Sequence, residues 1–215
     1  MIDLDALITY RDQIYERYRR IWDIPLIKRR FTLIAKNLYP GMRILDLGDG
    51  EWAVKTKIKR GYPDVLYQSI DIDRRLLHDN YSLDQIDEQF DLILLSDIIE
   101  YLGLEDGVKM LGRINELLVE GGSLIINTPN IFNHSHLWLD AANKVAYSYD
   151  ELGGIVLSQG FDLLEIYRTY TDSFPKYFLC LTFFYPFHRI LNIDFAQSIV
   201  ILARKKDQNI IRGGD

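Results

Sequence analysis

The stretch "LDLGDGEW", residues 45–52, decides the fold. An apolar run carries Asp46 and gives way to two glycines, Gly48 and Gly50, after which "EWAVKTKIKRG" has the spacing of a helix. A strand, a glycine turn and a helix in that order supply free backbone N–H groups at the positive end of a helix dipole, and glycine lets a ligand approach the main chain. A third glycine would complete such a loop, but its place is taken by Trp52. An indole there either points away and leaves a working loop or occupies part of the pocket.

Working outward, "YPG" at 39–41 is turn chemistry that resets the chain before the apolar run "MRILDLG", suited to a buried parallel strand. Gly61 is placed to end the helix. "DVLYQSIDID" reads as a second strand ending in acids, and "FDLILLSDIIEYL" as a strand running into a helix. "EDGVKMLGRINELLVEGG" reads as an amphipathic helix closed by paired glycines, and "SLIINTPN" as another buried strand. Strand and helix alternate, the signature of a parallel sheet covered on both faces. Downstream, Ser148 or Asp150 caps a helix that Gly160 ends, and the strands "DLLEIYRTY" and "QSIVILARKK" follow. Two successive strands without a short crossover predict an antiparallel pair at a sheet edge. Upstream, residues 3–20 and 25–38 read as two helices parted near Pro25, the first with an apolar stripe of Leu4, Leu7, Ile8, Ile14, Tyr15, Tyr18 and Ile21. Between Asp71 and Phe90 there is barely room for a crossover helix and a strand, so that edge is expected to be abbreviated.

Composition bounds the function. The 215 residues are 48% apolar, enough for one sizeable core. With 25 Lys and Arg against 31 Asp and Glu the net charge is −6, which argues against a nonspecific nucleic-acid surface. Cys180 stands alone and suits a reducing compartment, with the cytoplasm as the default. The N-terminal stretch lacks the pattern of a signal peptide, and no stable membrane span is expected: "YFLCLTFFYPFHRIL" is short and broken by Pro186, His188 and Arg189.

Several side chains stand where chemistry would need them. Asp71 or Asp73 closes the second strand about 20 residues beyond the glycine turn, where a carboxylate can accept both hydroxyl protons of a ribose. Asp97 ends the next strand, as a ligand contact or as the N-cap of the following helix. His134 and His136 follow the strand after that; either is a candidate base, or a surface residue. No Cys or carboxylate joins them at ligand spacing, so no metal site is expected. The aromatic run "SFPKYFLCLTFFYPFHRI" would form an acceptor pocket, a membrane-facing patch, a surface joining two copies, or simply core.

Taken together, "ILDLGDGEW", "SIDID", "FDLILLSDIIEYL", "GGSLIINTPN" and "YSYDELGGIVLSQGFDLLEI" resemble, in order, the segments of the class I S-adenosylmethionine-dependent methyltransferases, small-molecule branch. The resemblance covers roughly residues 40–170 and rests on the ordered set of segments rather than any one of them. It departs from the family pattern at Trp52, and at Tyr101 where a histidine is common.

The resemblance implies an α/β, Rossmann-like fold with a mostly parallel twisted sheet, an antiparallel last strand and an N-terminal helical cap. The expected division is a cap over 1–39, the methyltransferase-like domain over 40–206 with an aromatic insert at 171–195, and a tail over 207–215. It implies S-adenosyl-L-methionine as cofactor: Asp46 orients the turn or meets the methionine ammonium, Gly48 and Gly50 line the ligand, and Asp71 holds the ribose. Asp79 or Asn80 reads the adenine, while Ser96 and Asp97 face the methionine end. The implied reaction is methyl transfer to an O or N atom of a small, sugar- or lipid-linked acceptor, with His134 or His136 as base, in a protein that dimerises, if at all, through the aromatic insert. The rivals are a catalytically silent, partner-binding relative and a nicotinamide dehydrogenase, whose full glycine fingerprint "GDGEW" lacks.

Overall fold

The computed structural model describes residues 4–48, 53–70, 83, 86–133, 141–170, 182 and 185–207. Seven strands form one sheet: β1 (Leu26–Ile27), β2 (Arg43–Leu47), β3 (Leu66–Ile70), β4 (Phe90–Ser96), β5 (Leu118–Pro129), β6 (Phe161–Thr169) and β7 (Ser198–Lys205). Their order is β1-β6-β7-β5-β4-β2-β3. All neighbours are parallel except β7, which runs antiparallel to both β5 and β6. From β2 the chain moves to β3 on one side and then returns to β4 on the other, so the order reverses between β2 and β4. A crevice opens at such a switch point, outside the carboxyl ends of the strands.

The helices α1 (Leu4–Arg17), α2 (Arg30–Lys36), α3 (Ala53–Gly61), α4 (Leu104–Leu117), α5 (Tyr149–Ser158) and α6 (Tyr185–Leu191) complete the described elements. One face of the sheet packs with Ile14 of α1, Leu111 and Ile114 of α4, and Leu152 and Val156 of α5. The other packs with Leu33 and Ile34 of α2 and Ile58 of α3. The strands alternate between the two clusters, Leu45 and Leu47 to one and Ile44 to the other, as their period of two requires. Among the described residues β3 is the last strand on its side.

The N-terminal segment differs from two simple helices. α1 ends at Arg17, a short 3-10 turn spans Ile21–Asp23, and β1 precedes α2. Backbone carbonyls decide this: Pro25 O and Ile27 O accept from Arg168 and Tyr170 N–H at 2.9 and 3.3 Å. Proline lacks a donor, so it fits the outermost strand. Within the proposed apolar stripe, Ile14 and Tyr18 are buried, whereas Ile8 and Tyr15 are exposed. Arg17 reaches the start of β6, where the register shifts between Leu163 and Glu165, and donates to the carbonyls of Leu163 and Leu164 at 3.4 and 2.8 Å. A bulge frees such carbonyls, and the guanidinium satisfies them.

Three further boundaries fall elsewhere than the sequence pattern predicts. α4 stops at Leu117, and Gly121 and Gly122 lie inside β5, where the pairing jumps from Phe90↔Leu118 to Leu92↔Ser123. Gly121 has φ +71, a conformation that suits this irregularity and costs a side chain. The helix after β4 is delayed by a 3-10 turn, Ile99–Tyr101, and begins only at Leu104. The antiparallel pair is also not at the edge: β7 lies inside the sheet, and β1 flanks β6. Ser148 does cap α5, in a reciprocal box with Glu151.

Candidate functional site

The crevice is built from the ends of β2 and β4. Gly48 follows β2 with φ +89, and its N–H donates to Ile70 O at 3.0 Å. A Cβ on Gly48 would lie 2.2 Å from the Ser96 carbonyl oxygen and 2.9 Å from Ile98 Cγ1. Only glycine allows the chain to turn here so close to β4. Two residues upstream, Asp46 is fully buried, and the Tyr67 hydroxyl of β3 donates to its Oδ2. That contact suits a carboxylate that braces the turn from beneath.

On the other wall, Ser96 ends β4 opposite Asn127 of β5, and both are buried. Asp97 adopts φ 50, its N–H donating to Asn127 O at 3.0 Å. Its Oδ1 accepts from Asn127 Nδ2 at 2.7 Å. Asp97 therefore turns the chain out of β4; the residue at the N-cap of the 3-10 turn is Ile98. Although Asp97 is exposed at the surface, enough chain surrounds its carboxyl for desolvation to raise its pKa, with Arg30 and Asn127 partly opposing the rise.

Arg30 opens α2 at this same edge of the sheet. Its Nη1 is buried and has no hydrogen-bond partner among the described residues. A guanidinium nitrogen in that state loses hydration without an acceptor to replace it. Arg30 and Asp97 thus set one cation and one anion beside the Gly48–Ser96 contact.

Behind the crevice, two buried polar networks hold the segments that leave β4 and β5. The Glu100 carboxylate accepts from the Thr128 hydroxyl at 3.1 Å, and its backbone oxygen accepts from Lys144 and Val145 N–H at 2.8 and 3.1 Å. Asp194 accepts from Arg168 Nη1 and Asn130 Nδ2, each at 2.8 Å, while Asn133 Nδ2 donates to the carbonyls of Phe195 and Ala196, both at 3.1 Å. Arg168 also stacks on Trp22, 4.6 Å from the ring centroid.

Of the residues singled out by sequence, Asp46, Gly48, Ser96 and Asp97 are brought to one place. Gly50, Trp52, Asp71, Asp73, Asp79, Asn80, His134 and His136 lie outside the described residues, as does most of the aromatic insert. Arg30, Tyr67 and Asn127 were not legible as site residues. The period-two alternation of β3 could have pointed to Tyr67, and the pairing of strand ends to Asn127. Arg30 carried no signal, since a cation on a short helix reads as solvent-facing. Among the described residues no group of three His, Cys, Asp or Glu side chains could hold a metal, and no helix is long and apolar enough to cross a membrane.

No protein-family model matches the chain, and no curated protein does. Solved structures do. An S-adenosylmethionine-dependent methyltransferase from Archaeoglobus fulgidus superposes with a TM-score of 0.64 at 17% identity, over 91% of this chain and 94% of that one. Phosphoethanolamine N-methyltransferase 2 from Haemonchus contortus, solved in complex with S-adenosyl-L-methionine, gives 0.59 at 14% identity, over 83% of this chain and 52% of its own. The [4+2]-cyclase SpnF gives 0.59 at 13% identity, over 82% and 79%. The chain has the Rossmann-like fold of the class I S-adenosylmethionine-dependent methyltransferases. At these identities the likeness is one of fold, and function has to be argued from the site.

Proposed function

We propose that the chain transfers a methyl group from S-adenosylmethionine to an oxygen or nitrogen atom of a small acceptor, free or linked to a sugar or lipid. The observation that carries this reading is the pair Arg30 and Asp97 at the mouth of the switch-point crevice. The cofactor's amino-acid end bears a carboxylate and an ammonium. A carboxylate would give the buried Arg30 Nη1 the hydrogen-bond acceptor it lacks among the described residues, and Asp97 suits the ammonium. Gly48 lets the turn after β2 pass against the Ser96 carbonyl, where no Cβ would fit.

When bound, S-adenosylmethionine would supply an electrophilic methyl carbon on a sulfonium, a leaving group that would keep the carbon–sulfur bonding electrons as the acceptor's lone pair takes the methyl. What the chain must add is alignment and, for a hydroxyl acceptor, removal of a proton. In this reading Gly48 and Gly50 bring the backbone to the ligand, Asp71 accepts from the ribose hydroxyls, and Asn80 meets the adenine edge. Ser96 and Asp97 border the methionine end, and His134 or His136 takes the acceptor's proton.

Calorimetric titration with S-adenosylhomocysteine tests the reading on the wild-type chain, Asp71→Ala and Arg30→Met. The expected result is a dissociation constant on the order of micromolar that each variant weakens at least about tenfold. No binding by a folded wild-type protein would overturn it, and would favour a silent fold in which Trp52 takes the ligand's place.

A further inference from the structure

The first turns of α1 and α5 and the start of α4 enclose a pocket of about 250 Å³. Its walls include Leu7, Ile8, Leu104, Val145, Tyr147 and Ile155. Ile8 and Leu104 are 54% and 38% exposed, so the described residues leave this apolar concavity uncovered. Two charged residues, Arg11 and Glu151, also line it. Arg11 Nε lies 3.5 Å from Asp150, and the Glu151 carboxylate accepts from the N–H and hydroxyl of Ser148 at 3.3 and 3.0 Å. Tyr147 contributes its ring, while its hydroxyl sits over Gly107, where an added Cβ would come within 3.0 Å. Burial, followed by the charges of Glu100 and Glu151, pushes the Tyr147 pKa up to about 12, so the hydroxyl stays neutral. A charged ligand entering here would shed its hydration against a wall made mostly of apolar side chains.

The pocket stands at the edge that carries the crevice. Leu104, in its wall, opens α4, the helix that follows the carboxyl end of β4. The wall residue Val145 donates its N–H to Glu100 O at 3.1 Å, in the 3-10 turn just past Asp97. The Glu100 carboxylate is in turn held by Thr128, at the end of β5. Pocket and crevice are thus joined through one short turn.

We propose that this pocket is the subsite for the apolar body of the methyl acceptor. The acceptor is then neutral there, with a non-polar ring or branched chain of about ten heavy atoms beside its nucleophilic oxygen or nitrogen; a cavity of about 150 Å³ already takes benzene. The inference rests on the methyl-transfer reading above.

Two probes of matched shape test it: para-tert-butylphenol, neutral, and para-tert-butylbenzoate, charged, each titrated by calorimetry into the intact protein with and without S-adenosylhomocysteine. The phenol should bind at least about tenfold more tightly than the benzoate. Leu104→Trp, which fills the pocket from α4, should weaken the phenol about tenfold or more and leave S-adenosylhomocysteine affinity unchanged. Val145→Phe narrows the pocket from a different wall and should repeat the loss, which covers the case in which the first variant misfolds. Equal affinity for the two probes, no binding of the phenol, or phenol affinity indifferent to both substitutions overturns the proposal. Phenol discrimination that persists when S-adenosylhomocysteine does not bind would uphold a neutral apolar site while removing the methyl-transfer reading, so the two failures are told apart.

Discussion

Gly48 and the Ser96 carbonyl are packed so closely that a Cβ on the glycine would stand 2.2 Å from the oxygen. The obstacle is backbone, so it cannot swing aside, and φ +89 adds strain for any L side chain. Gly48→Ala should therefore cost about 2–4 kcal/mol, at the severe end for a single methyl group. Urea denaturation followed by circular dichroism checks this, and a loss under about 0.5 kcal/mol would show that β2 and β4 can part.

Asp97 gives a prediction with a sign. Its folded pKa is raised, chiefly by desolvation. A raised carboxyl pKa contributes stability that is fully present below the unfolded pKa and lost as pH rises through the folded pKa. Asp97→Asn removes that dependence, and asparagine tolerates the positive φ well. The variant should thus be as stable as wild type or more so at neutral pH, with the advantage shrinking on acidification. Thermal midpoints measured across the acid range decide it; an advantage that grows with acid would reverse the assignment. The same variant should bind S-adenosylhomocysteine more weakly if Asp97 meets the ammonium.

Two glycine-to-alanine changes should have opposite effects. At Gly154 in α5 a Cβ would come 2.9 Å from Arg11 N and 3.1 Å from its Cα, so Gly154→Ala must push α1 away. The expected cost is about 1–3 kcal/mol, with faster amide exchange through α1. At Gly61, the last residue of α3, nothing lies within 4 Å of the added atom. There alanine should be neutral or stabilise by up to about 1 kcal/mol.

Arg168 and Asp194 form an ion pair whose side chains are 6% and 0% exposed. Arg168→Met removes the cation yet leaves Asp194 buried, and should destabilise by about 3–5 kcal/mol. Chemical denaturation monitored by tryptophan fluorescence would report it, since Trp22 lies against the guanidinium. A loss below about 1 kcal/mol would mean that Asn130 and the Phe195 N–H suffice to hold the carboxylate.

Gly48 and Asp97 could be read in advance because each marks the end of an apolar run, where a strand must stop and turn. Asp46 and Ser96 followed from the resemblance of the ordered segments, and the alternation of strands with helices set the parallel sheet. What escaped was tertiary. The two-residue β1 is too short to show a period, and it exists because β6 offers it hydrogen-bond partners. The insertion of β7 between β5 and β6 is decided by pairing across some seventy residues of chain. Arg30 gains its meaning from Asp97, a residue distant in sequence, and nothing near Arg30 announces it.

The place of β7 has a further consequence during synthesis. β5 and β6 each have one edge that only residues 198–205 can cover. Until that strand emerges from the ribosome, two long apolar edges stand open side by side, an invitation to pair with other chains. The sheet therefore closes only once residues 198–205 are available to join its two parts.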